Sequence, residues 1–223
     1  MFIVRFFAKL YIFLFYGRFY NWLVNNVSFL KPISETKKNE SPIDFKGWIK
    51  YKTLGNGSGP YWPMHKTSKI NGSWRNVIVG IDAAPGISPG CYIQAMGKIY
   101  LGDYSQIAPN VGIISANHFM LDTRKHVANE IKIGKYCRIG MGSIILPGVV
   151  LGDFTTVSAG SIVTKSFKKG YCVISGNPAV MVQDYNDNPR IMEKFIMFKN
   201  DNEYNGFIRS EDFPEFRKKY LNI

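Results

Sequence analysis

The chain has 223 residues, of which 46% are hydrophobic and 20% charged, so it can bury a core and does not have the composition of a disordered protein. Its formal net charge of +12 favours anionic partners: nucleic acid, acidic lipid or a phosphorylated small molecule. Cys91, Cys137 and Cys172 lack CxxC spacing, which indicates reduced thiols in a reducing compartment. Only three histidines are present, which argues against a His-rich metal site.

The first predicted element is an apolar, aromatic helix over residues 1–30. Arg5, Lys9 and Arg18 are spread through it and no small-residue cleavage site follows, which is atypical of a signal peptide. Its longest uncharged run is far shorter than the roughly 20 residues of a membrane-spanning helix. Two interpretations remain open: a helix lying in a membrane interface, or a helix packed on its own protein or on a neighbouring subunit.

The rest of the chain divides into three parts. Residues 31–76 are predicted to form a polar linker followed by a small cap rich in Gly and aromatic side chains. Residues 77–183 are periodic and are predicted to form the main domain. Residues 184–223 contain two helix-like patches, which predict a helical tail that covers the end of this domain.

Aliphatic side chains recur at a spacing of six residues between Ile81 and Val163. The spacing slips by two residues between Ile99 and Leu101, and it is interrupted once after Ile113. A Gly or another small residue often follows the aliphatic position, and a small or modest side chain recurs four residues after it. The aliphatic positions are Ile81, Ile87, Ile93, Ile99, Leu101, Ile107, Ile113, Ile133, Ile139, Ile145, Leu151, Val157 and Val163.

A period of six fits neither an α-helix nor an alternating strand, and it is typical of a parallel β-helix. Each hexad would form a short strand and a corner. Three hexads would form one triangular coil, with the aliphatic side chains stacked inside and the small residues where the backbone turns. The count predicts four coils, which span residues 81–100, 101–118, 133–150 and 151–168.

One insertion interrupts the stack. Fourteen residues, Phe119 to Lys132, leave the prism directly after His118 and return to the same stack. Long excursions from a regular scaffold are common sites of function, so the insertion is a candidate functional loop and His118 lies at its mouth.

Three segments carry a resemblance to a known family: IYLGDYSQIAPNVGIISANHFMLD, IKIGKYCRIGMGSIILPGVVLGDFTTVSAGSIVTKSF and ISGNPA. Together they resemble the hexapeptide-repeat acetyltransferases, nearest the maltose and galactoside O-acetyltransferases and the O-acetyltransferases of polysaccharide biosynthesis. The resemblance covers about residues 81–183. It implies an all-β fold, a left-handed parallel β-helix with N-terminal and C-terminal helical appendages, and a homotrimer whose neighbouring prisms form the acetyl-CoA groove.

The resemblance implies that His118 is the general base of acetyl transfer from acetyl-CoA to a hydroxyl. A sugar hydroxyl must lose its proton as it attacks the thioester carbonyl, and a neutral imidazole can accept that proton. The resulting oxyanion needs a hydrogen-bond donor, commonly a backbone N–H. The alternative interpretation is that His118 is an ordinary corner residue.

By motif position, the resemblance places acetyl-CoA near Met141, Ala159 and Gly160, with Thr164 and Lys165 farther along. Lys165 would meet the phosphates of the nucleotide. It would otherwise belong to a solvated positive face.

Acceptor contacts are expected from Asn117, Asp122 and His126 around the insertion, and His126 could equally be an exposed loop residue. Ser88 stands about where the galactoside branch has an acceptor-binding Asn. Two positions depart from close relatives: Arg138 stands where Trp is common, and Val180 where a basic residue is common. The acceptor therefore cannot be copied from those relatives.

Other functions remain as alternatives. The acceptor could be a sugar amine or a small-molecule or antibiotic hydroxyl. A γ-type carbonic anhydrase would need all three histidines, and His65 lies outside the repeat. A non-catalytic scaffold would not need the preserved His. No known nucleic-acid motif accompanies the positive charge. The expected function is acetylation of a sugar hydroxyl in surface polysaccharide or lipid-linked glycan biosynthesis, without a metal. The expected location is cytoplasmic, with peripheral contact at the inner face of the membrane if residues 1–30 bind lipid.

Overall fold

The computed structural model describes residues 17–35, 37, 45–46, 48, 60, 62, 64–80 and 82–201. Residues 64–80 and 82–184 form a prism with three faces of stacked parallel strands, plus one hairpin that projects from it. Among the predictions, Ile81, Arg5, Lys9 and the tail beyond residue 201 lie outside the described residues.

The three faces share one construction, in which strands from successive coils pair side by side. Face A contains β1 Lys69–Gly72, β3 Tyr92–Ala95, β6 Gly112–Ile114, β11 Ile144–Ile145 and β14 Ile162–Val163. Face B contains β2 Val77–Val79, β4 Ile99–Leu101, β9 Ile131–Ile133 and β12 Val150–Leu151. Face C contains β5 Gln106–Ile107, β10 Arg138–Ile139, β13 Thr155–Val157, β15 Cys172–Gly176 and the antiparallel β16 Ala179–Asp184. The hairpin consists of β7 Ala116–Phe119 and β8 Asp122–Ala128.

The parallel β-helix predicted from the period is therefore confirmed. The stack begins earlier than expected: β1 starts at Lys69 and pairs with β3, so a first coil precedes the four that were counted. The period did not show this coil, because its third side, residues 82–90, forms turns and bends instead of a strand.

Most of the periodic aliphatic side chains fill the prism. They are buried at Ile93, Ile99, Leu101, Ile107, Ile113, Ile133, Ile139, Ile145, Leu151, Val157 and Val163. Ile87 is the exception among the described positions, since it lies in the turns of the first coil and is 36% exposed. The slip at Ile99 and Leu101 arises because the chain between β3 and β4 holds two additional residues, so that Leu101 follows Ile93 by eight positions instead of six.

The small residues are required at two kinds of position. A Cβ at Gly134 would lie 2.6 Å from the backbone N of Asp153, and one at Gly140 would lie 2.6 Å from that of Ala159, so neighbouring coils leave no space there. Inside the prism, small polar side chains bond to the backbone of the next coil. Buried Ser143, for example, donates to the carbonyl of Ser158 at 2.9 Å.

The cysteines are packing residues. All three are free and buried, in agreement with the reduced thiols that were predicted. Burial raises the pKa of the Cys137 thiol to about 12, which leaves it un-ionised at neutral pH and a poor nucleophile.

One corner of the prism carries an aromatic column that the period did not predict. Tyr104, Tyr136, Phe154 and Tyr171 all have positive φ, and successive ring centroids are 5.0, 4.7 and 5.3 Å apart. Phe195 packs on the last two rings, at 4.9 Å from Phe154 and 5.6 Å from Tyr171. It belongs to helix Pro189–Asp201, so the column fixes this helix at the end of the stack.

At the other end of the chain, residues 17–26 are helical, followed by a 3-10 turn at Ser28–Leu30 and a short helix at Lys31–Glu35. Another 3-10 turn, Trp74–Asn76, joins β1 to β2. Val24 and Leu30 are buried, and Trp48 is fully buried and donates its indole N–H to the carbonyl of Phe29 at 2.7 Å. No helix in the described part of the chain combines the length and hydrophobicity needed to cross a bilayer.

Two neighbouring isoleucines on β11 provide a test of the prism. Ile145 is fully buried, whereas Ile144 points outward and is partly exposed. We expect Ile145→Ala to lower the free energy of unfolding by about 2–5 kcal/mol through lost burial and a residual cavity. Urea unfolding of both variants measures this. An equal or larger effect of Ile144→Ala would contradict the assignment of the inner face.

Candidate active site

The hairpin is the insertion seen in the sequence. Ile139 pairs with Ile107, thirty-two positions earlier, whereas Val157 pairs with Ile139, eighteen positions earlier, so this coil holds fourteen additional residues. The boundaries differ from those expected. The chain leaves the coil at Ala116, and it has rejoined face B at Ile131. His118 therefore lies on the first strand of the hairpin and not at a corner of the prism.

A buried hydroxyl anchors the hairpin where it leaves the coil. Ser115 is fully buried, its Oγ donates to the carbonyl of Gln94, and the same Oγ accepts the N–H of Gly97 at 2.9 Å. The carbonyl of Ser115 accepts the N–H of Asn129 from the returning chain at 2.8 Å. The side-chain oxygen of Gln94 accepts the N–H of Ala116 at 3.0 Å. Both ends of the hairpin are thus tied to the coil, and the outgoing end is tied within three residues of His118.

The imidazole of His118 is exposed and held in one orientation. Its Nδ1 lies 2.5 Å from the backbone carbonyl oxygen of Thr123, on the opposite strand. A carbonyl oxygen can only accept, so Nδ1 carries the hydrogen and Nε2 of the neutral ring keeps its lone pair. This is the form of histidine that can take a proton from a substrate.

The residues predicted to contact the acceptor lie in two separate places, the hairpin and the first coil. Asn117, Asp122 and His126 lie on the same hairpin as His118, and the His126 ring centroid is 4.4 Å from that of His118. Arg124 donates from Nε to the Asp122 carboxylate at 2.9 Å, and this bond lowers the pKa of Asp122. Ser88 lies apart, in the first coil, where its hydroxyl donates to the carbonyl of Ile107 in face C at 2.8 Å.

The residues predicted to bind acetyl-CoA also form two groups, one along each edge of face A. Met141, Ala159 and Gly160 are exposed at the corner between faces C and A, where Gly160 N–H donates to the Met141 carbonyl at 2.8 Å. A Cβ at Gly160 would have no atom within 4 Å, so this corner is open to a ligand. Thr164 and Lys165 are exposed beyond β14, at the opposite edge of the face.

Two features of the surface were not predicted from the sequence. The tip of the hairpin is apolar, with Met120 87% and Leu121 82% exposed. Face C also carries a groove of about 460 Å³ that contains Arg138. The hairpin tip lies in the insertion, outside the six-residue period, and the groove depends on how segment 82–90 packs beside face C, which the period does not encode. Val180, the other unusual position, is exposed on β16.

The third histidine lies elsewhere. His65 precedes β1, and its Nδ1 lies 2.8 Å from the hydroxyl of Thr67. Within the described residues, no three His, Cys, Asp or Glu side chains gather into a group suited to a metal.

Known proteins match the same part of the chain. Residues 130–165 match the family model described as bacterial transferase hexapeptide (six repeats). The galactoside O-acetyltransferase of Escherichia coli K12 is 34% identical over 106 residues, which cover 46% of this chain and 50% of that protein. The putative colanic acid biosynthesis acetyltransferase WcaF of the same organism is 31% identical over 93 residues, covering 41% and 50%. The chain thus spans about half the length of the curated relatives it matches.

A solved structure supports the fold. A hexapeptide-repeat containing acetyltransferase from Vibrio cholerae, complexed with acetyl-CoA, superposes with a TM-score of 0.52 at 18% identity, over 73% of this chain and 92% of that one. At this identity the similarity shows the fold alone. Together with the family match, it confirms the predicted resemblance to the hexapeptide-repeat acetyltransferases.

The tautomer of His118 can be observed directly. We expect the neutral ring to carry its hydrogen on Nδ1, because the Thr123 carbonyl accepts from that atom. Long-range ¹H–¹⁵N correlation spectra of histidine-labelled protein distinguish the two ring nitrogens. A His118→Ala variant assigns the signals. A ring with the hydrogen on Nε2 would show that the bond to Thr123 is not formed.

Proposed function

We propose that this chain is an acetyl-CoA-dependent O-acetyltransferase that acetylates a sugar hydroxyl in surface polysaccharide or lipid-linked glycan biosynthesis. The observation that carries the proposal is the exposed His118 ring, held through Nδ1 so that Nε2 can act as a base. The names of the relatives support the choice of donor group and acceptor, since they include a galactoside O-acetyltransferase and a putative colanic acid biosynthesis acetyltransferase.

His118 would perform the transfer in two proton movements. Nε2 accepts the proton of the sugar hydroxyl as the oxygen attacks the thioester carbonyl. The imidazolium then returns this proton to the departing CoA sulfur, so the products are the acetyl ester and the free thiol. The Thr123 carbonyl accepts the hydrogen of Nδ1 in both the neutral and the protonated ring, so it holds the orientation throughout the reaction. The tetrahedral oxyanion would be stabilised by a backbone N–H donor.

Acetyl-CoA is expected to lie against face A. The open corner at Met141, Ala159 and Gly160 offers exposed backbone to an extended pantetheine chain. Lys165, exposed at the other edge, would meet a phosphate group. A left-handed coil and a homotrimer, in which a neighbouring prism forms the second wall of this groove, belong to the same proposal.

Replacement of His118 tests the chemistry. The exposed side chain fills no core space, so we expect His118→Ala to keep the melting temperature and the affinity for acetyl-CoA. Loss of the base should lower kcat by roughly 10²–10⁴-fold, with a smaller change in KM. Turnover of acetyl-CoA with a panel of sugars and amino sugars measures this.

The matched control is His126→Ala, the partner ring on the other strand. It should keep kcat within about tenfold, with any loss in the KM for the sugar, because the orientation of His118 depends on Thr123 and not on His126. If His118→Ala keeps near-normal turnover, or if His126→Ala alone abolishes it, His118 is not the base.

Membrane contact is the second part of the proposal. Around helix 17–26, Val24 faces the protein, whereas Phe19 is 49% and Trp22 58% exposed, with their rings stacked at 6.3 Å. Lys31 and Lys37 are exposed nearby. One side of the segment thus packs on the protein, and the other combines aromatic rings with cations, as interfacial segments do. A glycan acceptor on a lipid carrier would be presented at such a surface.

A double variant tests this contact. We expect the full chain to float with vesicles containing anionic phosphatidylglycerol, and Phe19→Ser/Trp22→Ser to bind at least about tenfold more weakly, because two rings lose their apolar burial. The control is Tyr92→Ser, which removes an exposed ring on face A. Equal flotation of the double variant and the control would leave the segment a packing element only.

A further inference from the structure

Face C bears a groove whose wall is built from surplus residues of the first coil. Regular coils repeat every eighteen positions, whereas Ile99 pairs with Val77, twenty-two positions earlier. Two of these additional residues lie between β3 and β4, where Leu101 follows Ile93 by eight positions instead of six. The other two lie between β2 and β3, where segment 82–90 forms no strand and lines one wall of the groove with Asp82, Ile87 and Ser88. The exposure of Ile87 follows from this displacement.

The floor of the groove is a row of polar side chains from three successive coils. Arg138 pairs in register with Gln106 on one side and with Thr156 on the other, and all three residues line the groove. Arg138 is exposed, and within the part of the chain that the structure describes it takes part in no ion pair. A guanidinium group therefore stands available in a concave site.

The volume and the lining indicate a small polar ligand. The groove measures about 460 Å³, within the roughly 300–1,000 Å³ of small-molecule sites. Arginine binds a carboxylate or phosphate through two parallel hydrogen bonds. Asp82, Ser88 and Gln106 can accept hydrogen bonds from hydroxyl groups, and Ile87 offers an apolar contact to the C–H face of a sugar ring. This set suits a polyhydroxylated molecule that also carries an oxyanion.

We propose that the groove on face C binds an acidic sugar, with Arg138 bonded to its oxyanion. The oxyanion is the carboxylate of a uronic acid or the phosphate of a sugar phosphate. That this sugar is the acetyl acceptor rests on the proposed function, whereas the binding site itself follows from the groove alone.

Equilibrium binding separates the site from the reaction. Glucuronic acid, glucose 1-phosphate and glucose are titrated calorimetrically into the full chain, without acetyl-CoA. We expect at least one acidic sugar to bind more tightly than glucose by about tenfold or more. Arg138→Gln should lower the affinity for that acidic sugar by about 10- to 100-fold and leave the affinity for glucose nearly unchanged, because a charged hydrogen bond is lost. The acidic sugar that loses more affinity identifies the source of the oxyanion.

Two further variants complete the test. Arg138→Lys keeps the charge but not the paired geometry, and it should give an intermediate loss. Lys98→Gln removes an exposed cation at the corner between β3 and β4, and it should bind like the unchanged protein. Unchanged binding of all three sugars to Arg138→Gln would overturn the inference. Acetyl-CoA is titrated separately, and an Arg138→Gln variant that loses affinity for acetyl-CoA but not for the sugars would also overturn the inference. If the sugars bind as expected but no acetyl transfer is found, the proposed function fails and the site stands.

Discussion

Parallel pairing between stacked coils governs the rest of this molecule. Strands joined in this way lie about 4.8 Å apart, so each coil must repeat the path of the coil below it. Gly134 and Gly140 illustrate the steric consequence, since the next coil approaches too closely for a Cβ. The interior also has room only for side chains that stack on their equivalents, as Ile139 does between Ile107 and Val157.

Both candidate sites occur where a coil is longer than eighteen residues. Surplus residues cannot enter the prism without breaking the pairing, so they are expelled outward. Fourteen of them form the hairpin that carries His118, and two of them lie in the segment that forms the wall of the groove containing Arg138. The regular coils act as a rigid base that also positions Arg138, and the excursions supply His118 and one wall of the groove. This division of roles is common in proteins whose function lies on loops of a rigid scaffold.

The two sites differ in how their key side chains are held. His118 is fixed by the backbone of its own hairpin through the Thr123 carbonyl, so its orientation depends on the local pairing of β7 with β8. Arg138 is positioned by its place between Gln106 and Thr156, so its location depends on the register of three coils. The two sites also lie on different sides of the prism, since the hairpin projects from the corner between faces A and B and the groove lies on face C.

The sequence alone determined what repeats and what interrupts the repeat. The six-residue period identified the inward side chains from Ile93 to Val163. The interruption gave the length of the insertion and placed His118 directly before it, because these features depend on residues close together in the chain. The position of His118 on the hairpin strand itself came from the structure. Only the tertiary structure decided how distant coils align. The displacement of Ile87, the aromatic column that begins at Tyr104, and the placement of Lys165 and Gly160 on opposite edges of face A all depend on register between coils. Register is set by pairing between residues about eighteen or more positions apart, and a local period does not encode it.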